Sequence, residues 1–317
     1  MASTFIKAAE VWLPSGDGSL LEFGGGAYGP AKRLAAASRE LCWGRGEGLP
    51  GHAWDEGRPV LLGRFEGSYF RRTEAAHAAG LSCAVAWPLW LNDRLTSVLV
   101  VFCGHDAATA CGLELWHHDA QTGEDMTLVD GAYGSNAQGF EAISRQTRLP
   151  RGVGLPGQAW ERGEAVFLED LPLSADRFVR AGEAAAAGLL RGLAIPVAAQ
   201  RTIDHAVTFL AGPALPLARR IERWVLDATA ARLRRVYAFS ELHGGASLAE
   251  ATLPFSALAP AGAIAKACAS GAPAISDWPA AEPGASAAAA TAIGSWALLA
   301  IPVLREGAVV EVLALYL

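Results

Sequence analysis

The segment Arg45-Gly46-Glu47-Gly48-Leu49-Pro50-Gly51-His52-Ala53-Trp54-Asp55-Glu56-Gly57 returns 106 residues later as Arg151-Gly152-Val153-Gly154-Leu155-Pro156-Gly157-Gln158-Ala159-Trp160-Glu161-Arg162-Gly163. Ser38-Arg39 recurs at the same offset as Ser144-Arg145. Upstream, Glu10-Val11-Trp12 matches Glu114-Leu115-Trp116, and Ala27-Tyr28-Gly29 matches Ala132-Tyr133-Gly134. Downstream, Phe70, Arg72 and Ala78-Ala79-Gly80-Leu81 recur 108 residues later as Phe178, Arg180 and Ala186-Ala187-Gly188-Leu189, and Ala86-Trp87-Pro88 returns as Ala194-Ile195-Pro196. Small register changes mark loop insertions between two copies of one fold, and a period above 100 residues makes each copy a domain.

A third copy is eroded. Gly262 and Gly271 keep the spacing of Gly48 and Gly57, and Gly294 with Ala300-Ile301-Pro302 repeats Gly188 with Ala194-Ile195-Pro196. The Leu-Pro-Gly position has become Ala263-Ile264-Ala265, the Trp54/Trp160 position is Cys268, and the Phe-x-Arg positions fall on Gly284 and Ser286. The expected division is 1–106, 107–214 and 215–317, the last part opening with a linker helix over 216–235. That helix is read from an apolar stripe of Leu217, Ile221, Trp224, Val225, Ala228 and Ala231 opposite Arg219, Arg220, Arg223, Arg232, Arg234 and Arg235, which form its solvated face.

Composition narrows the class. The 317 residues are 52% hydrophobic and 18% charged, with a net charge of −6, which provides no electrostatic footprint for nucleic acid. No uninterrupted apolar run is long enough for a membrane span, and no signal-peptide pattern opens the chain, so the expected location is cytoplasmic. Cys42, Cys83, Cys103, Cys111 and Cys268 include no Cys-x-x-Cys pair, mostly sit inside apolar segments and read as reduced, buried thiols.

Each copy reads as a hairpin, a helix in the first two copies, a glycine loop opening a short helix, an extended segment, an Ala-rich helix and two closing apolar strands. In the third copy the hairpin is placed at 236–240 and 246–253, with a turn at 243–245. The expected fold class is α+β, three domains with mainly antiparallel sheets of five or six strands. This order, with the R-G-x-G-L-P-G-x-A-W-x-x-G, F-x-R and A-G-L-x-x-x-x-A-x-P motifs, resembles GAF domains over nearly the whole chain. One departure is notable. Members of that family usually open with a helix that covers one sheet face and dimerises, whereas the nine or so residues between Phe102 and Gly112 are too few for one at ~1.5 Å per residue. An uncovered apolar sheet face predicts burial elsewhere, and a homodimer is the expectation.

The resemblance implies a pocket between sheet and glycine-loop helix, lined by Trp54, Phe70, Arg72 and Cys83 in the first copy and Trp160, Phe178, Arg180 and Arg191 in the second. Aromatics with one or two cations suit a flat or anionic ligand, and the eroded third copy is expected to bind nothing. The function it implies is a non-catalytic sensory or regulatory protein that binds a small ligand, of unknown identity, or a signalling protein. The signatures of cyclic-nucleotide and bilin binding are missing. The alternatives are a ligand-free scaffold or a GAF-fold reductase of free methionine sulfoxide, for which Cys83, Cys103 and Cys111 would have to supply thiols. His117-His118-Asp119 has the composition of a metal site, but neighbours on a strand face opposite ways, so the two histidines are poorly placed to share one ion and the segment reads as a solvated turn. Glu10 and Glu114 each share a strand face with a Trp, and so must be exposed or hydrogen-bonded.

Overall fold

The glycine loop folds as its residue types require. Gly51 and Gly157 bring the helix against the chain that precedes it: a Cβ on Gly51 would lie 2.2 Å from the Gly44 carbonyl oxygen, and one on Gly157 2.6 Å from that of Pro150. Gly57, Gly163 and Gly271 end the three loop helices in the left-handed conformation, with φ of 65°, 63° and 64°. The protein, seen in a computed structural model that describes residues 3–104, 109–199, 202–241 and 251–317, repeats one architecture three times.

The first copy consists of β1 (Ile6–Pro14), β2 (Leu21–Ala27), α1 (Lys32–Arg39), β3 (Cys42–Trp43), α2 (Gly48–Glu56), β4 (Val60–Leu62), α3 (Thr73–Ala78), β5 (Cys83–Leu91) and β6 (Arg94–Cys103). The second consists of β7 (Cys111–His118), β8 (Met126–Tyr133), α4 (Gln138–Gln146), β9 (Arg148–Leu149), α5 (Gly154–Arg162), β10 (Val166–Leu168), α6 (Ala181–Ala187), β11 (Arg191–Ala199) and β12 (Thr202–Ala211). In the third, β13 (Arg220–Asp227), β14 (Arg232–Ser240), β15 (Thr252–Pro254), α7 (Gly262–Ser270), β16 (Ala274–Ser276), α8 (Ala285–Ile293), β17 (Leu298–Arg305) and β18 (Ala308–Tyr316) follow. Each sheet is antiparallel and six-stranded with the same neighbour order, β3-β2-β1-β6-β5-β4 in the first copy, so the chain is α+β with three GAF-like domains. Pro88 is tolerated because β4 pairs only with Ala84–Ala86, which leaves β5 an edge where the missing N–H would point.

The linker helix expected over 216–235 is a hairpin instead. Asp227 turns the chain by accepting bonds from the amides of Thr229 and Ala230, and Ala231 takes a positive φ of 48°. The residues then alternate as strands do, with exposed Arg232, buried Leu233 and exposed Arg234, and the β-branched and aromatic side chains of Ile221, Trp224, Val225 and Phe239 favour the pleat. β13 also fills the central place beside β18 that β1 fills beside β6. The third copy's opening hairpin is therefore β13–β14. Val236–Ser240 closes β14, the expected turn at 243–245 and strand start at 246 lie outside the described residues, and β15 is a short strand beside β14.

With no covering helix, one face of every sheet packs against the other two sheets. Val85, Leu99 and Val101, Leu193, Val207 and Phe209, and Leu299, Leu313 and Leu315 belong to one buried cluster, and β5, β11 and β17 touch one another pairwise. The opposite faces carry the helices over separate cores. Burial on both sides explains why Cys83-Ala84-Val85-Ala86-Trp87-Pro88-Leu89 is continuously apolar rather than alternating. The faces whose exposure motivated a homodimer cover each other within one chain. Because the copies share a core, the protein is expected to unfold in a single calorimetric transition, and Leu313→Ala to lower the stability of the whole chain by about 2–5 kcal/mol; separate transitions for separate copies would show that the shared core does not couple them.

Candidate functional site

The repeated Glu-x-Trp on the first strand of each copy builds a closed polar knot. Glu10 is fully buried, and its carboxylate accepts bonds from Trp12 Nε1 (3.0 Å), Tyr28 Oη (3.1 Å), Ser38 Oγ (2.7 Å) and both terminal nitrogens of Arg72, which also reaches Ser38. The second copy repeats the arrangement: Glu114 accepts from Trp116 Nε1 (2.8 Å), Tyr133 Oη (2.9 Å) and the two terminal nitrogens of Arg180 (2.5 and 3.0 Å), while Arg180 also contacts Ser144. Burial disfavours the charged form of Glu114, but the charge and hydrogen bonds of Arg180, with those of Trp116 and Tyr133, outweigh it and hold the carboxyl below its ordinary pKa. Burial, then the neighbouring Glu10 or Glu114 charge, pushes the Tyr28 and Tyr133 hydroxyls far up, so both stay protonated donors.

The third copy keeps the knot with different suppliers. Glu222 accepts from Trp224 Nε1 (2.9 Å) and Tyr316 Oη (3.0 Å), and its arginines come from the strands themselves, Arg220 Nε at 2.6 Å and Arg235 at 2.7 Å. Two residues expected on a solvated helix face are thus buried counterions, and Arg223 pairs with Glu311 and Glu164. Glu222-Arg223-Trp224 repeats the Glu-x-Trp of the other copies; the helical reading of that stretch hid it.

The residues expected to line ligand pockets are placed as follows. Phe70 stacks on Phe65 at 4.4 Å, and the Arg72 guanidinium lies over Phe70, Trp12, Trp43 and Phe102. Phe178 and Arg180 pack in the same way with Phe140 and Trp116. Trp54 is buried under Arg45, and Trp160 lies between Arg151 and His118. Arg72 and Arg180, expected to meet an anionic ligand, meet Glu10 and Glu114, because a buried cation needs a counterion and the fold supplies one. Cys83 points away from these residues into the central core. Arg191, at the equivalent place on β11, faces the third copy, pairing with Glu241 and the Glu169 carbonyl over Phe239. Under α2 and α5 these positions are packed by side chains.

Open space lies between copies. Cavities of about 370 Å³ and 660 Å³ share Tyr28, Pro30 and Trp296, and a third of about 400 Å³ shares Gly26, Arg39 and Asp277 with the second. Together they form a groove along the seam of the first and third copies. Among the described residues, Lys7, Lys32, Arg39 and Arg219 line it against one acid, Asp277. The cause is local sequence: Val11 pairs with Gly25 where Arg223 pairs with Tyr237. At the seam of the second and third copies, Tyr237 packs on Phe167 and donates to Glu169 at 2.8 Å; the corresponding place in the first copy is part of Gly24-Gly25-Gly26, and the groove is left unfilled.

No known protein-family profile matches the sequence, and no curated protein matches it. Among solved structures, the chain is similar to the GAF domain of A. aeolicus nlh2 in an inactive state, with 13% identity over 32% of this chain and 59% of that one and a TM-score of 0.26. It is also similar to NreA of Staphylococcus aureus mutated in its nitrate-binding site, with 14% identity over 35% of this chain and 80% of that one and a TM-score of 0.28. A third is free methionine-R-sulfoxide reductase from Neisseria meningitidis with its substrate, with 16% identity over 32% of this chain and 53% of that one and a TM-score of 0.24. Each match spans about one copy of the three.

Removing one partner of a buried ion pair strands the other, so Arg72→Ala and Arg180→Ala are each expected to cost about 3–5 kcal/mol of stability. Glu114 has its pKa lowered by folding, so its contribution is complete above the unfolded carboxylate value of about 4.3 and fades as pH falls through the folded value. Urea unfolding should therefore show a large gap between the natural protein and Glu114→Gln at pH 7 that narrows below pH 4; a gap that does not change with pH would remove the charged carboxylate from this account.

Proposed function

We propose that the protein is a non-catalytic binding protein of the sensory or regulatory kind, and that its small ligand occupies the groove between the first and third copies rather than the sites under the glycine-loop helices. The observation that carries this is the groove itself: three connected cavities at one seam, where the equivalent place at another seam is filled by Tyr237 and Phe167. Its lining combines Trp296 and Tyr28 with four cations, which suits a flat organic anion.

The cysteines favour binding over redox chemistry. Burial pushes the Cys103 thiol far up and Cys111 up to about 12, so neither is the thiolate that attack on a sulfoxide needs, and Cys83 lies beside them in the central core. Among the described residues no helix is long and apolar enough to cross a membrane. A ligand-free scaffold is the second reading, favoured by the packed side chains under α2 and α5.

The test uses 8-anilinonaphthalene sulfonate, an aromatic anion, as probe. Saturable binding with quenched tryptophan emission is expected, and Lys32→Glu with Arg39→Glu, both on the exposed side of α1, should weaken it on the order of tenfold, since each exposed charge is worth about 0.7 kcal/mol. Native mass spectrometry of the purified protein should show a small molecule that the same pair of substitutions releases. Undiminished probe binding in the double variant would move the site elsewhere, and no binding of either kind would leave the scaffold reading standing.

A further inference from the structure

His117 and His118 diverge as strand neighbours must: His118 stacks on Trp160 at 4.3 Å, and His117 turns to the opposite face. There it meets residues far away in sequence. His117 is paired across the ladder with His205 of β12, and the two imidazoles stack at 4.3 Å with a tilt of 27°. A β-bulge brings in the third group. Val197 pairs with His205 and Ala198 with Ile203, so Asp204 is skipped in the ladder register, and its Oδ1, which accepts a bond from the Ala199 amide at 3.3 Å, lies 2.6 Å from His205 Nδ1. One ligating atom from each of His117, Asp204 and His205 lies within 4.8 Å of the other two.

The sister copies show that the fold does not require these residue types. Ser97, two residues before Leu99 on β6, stands where His205 stands before Val207, and the bulge residue corresponding to Asp204 is Thr96 in the first copy and Val310 in the third. His117 follows Trp116 as Leu13 follows Trp12 and Val225 follows Trp224. Thr96 and Glu311 close seams, Thr96 onto the Gly271 carbonyl and Glu311 onto the Ala165 amide and Arg223. Among the described residues, only the second copy places two imidazoles and a carboxylate together on this bulge.

We propose that His117, His205 and Asp204 bind one divalent transition-metal ion of the zinc class. Two imidazoles and a carboxylate are a donor set that such ions prefer, and the 4.8 Å within which the three candidate atoms already lie is close to the roughly 3.3 Å separation of tetrahedral ligand atoms. His205 is almost fully buried while His117 and Asp204 are partly exposed, so the ion has a firm base, an entry path and a fourth position for water or a ligand. The charged neighbours are Asp119 and Arg58; Asp119 adds attraction, and Arg58 is ion-paired with Glu56. A bound ion ties β7 to β12 at the edge that faces the first copy.

The experiment uses the untagged full chain with Zn²⁺ alone, and Co²⁺ as its spectroscopic substitute. Metal analysis after gel filtration should find about one Zn²⁺ per chain, Co²⁺ should give the visible absorption of a tetrahedral site, and Zn²⁺ should raise the melting temperature. His117→Leu and Asp204→Thr, which install the first copy's residues, should each weaken Zn²⁺ binding at least about tenfold, with the metal-free melting temperature unchanged for at least one of them. His77→Ala, at an exposed histidine paired with Glu66 in the first copy, should bind as the natural protein does. Failure of the natural protein to take up either ion, or equal uptake by His117→Leu and Asp204→Thr, overturns the proposal.

Discussion

A six-stranded sheet that is apolar on both faces but carries helices on only one has to find a second cover, and in this protein the cover is two more such sheets. Burying about 25 cal/mol for each Å² of apolar surface is the dominant gain in folding, and the central cluster of Val, Leu, Ile and Phe side chains contributed by all three copies is where the chain secures it. The short connections between copies follow from this arrangement. With no terminal helix to accommodate, one copy passes into the next within a few residues, and the repeated Pro88, Pro196 and Pro302 come together around one narrow cleft.

The helix-covered faces are fixed differently. Each has a fully buried glutamate held by a tryptophan, a tyrosine and arginine, and the third copy restores the set after losing Phe-x-Arg by drawing Arg220 and Arg235 from its own hairpin and Tyr316 from β18. A buried carboxylate without these donors would be very unfavourable, so losing one arginine demands another. The same constraint explains why the aromatic and cationic residues shared by the first two copies need not imply a ligand: their retention is accounted for by the glutamate beneath them.

Duplication gives three equivalent seams, and sequence drift has made them unequal. Tyr237 and Phe167 fill one, Gly24-Gly25-Gly26 leaves another open, and at the third two histidines and an aspartate gather over a bulge. Function in a repeated fold is most visible where the copies differ at the same backbone position, since the scaffold requires only what all of them share. The groove and the histidine cluster both satisfy that test, and Arg72 and Arg180 do not.

By itself the sequence determined the three copies, their α+β class, the glycine-loop helices with their left-handed ends and the apolar closing strands, because each rests on local chemistry repeated in register. It also determined that a sheet face would lack its usual helix. What covers that face was decided only in three dimensions, since an apolar surface does not specify whether its partner is another chain or another part of the same one. The hairpin of the third copy was hidden because Leu217, Ile221, Trp224 and Val225 fit a helical stripe as well as a strand, and pairing with β18 settled the choice. The counterions of Arg72 and Arg180 and the meeting of His117 with Asp204 and His205 were equally out of reach, because they join residues 62 to 88 positions apart through ladder register and a bulge.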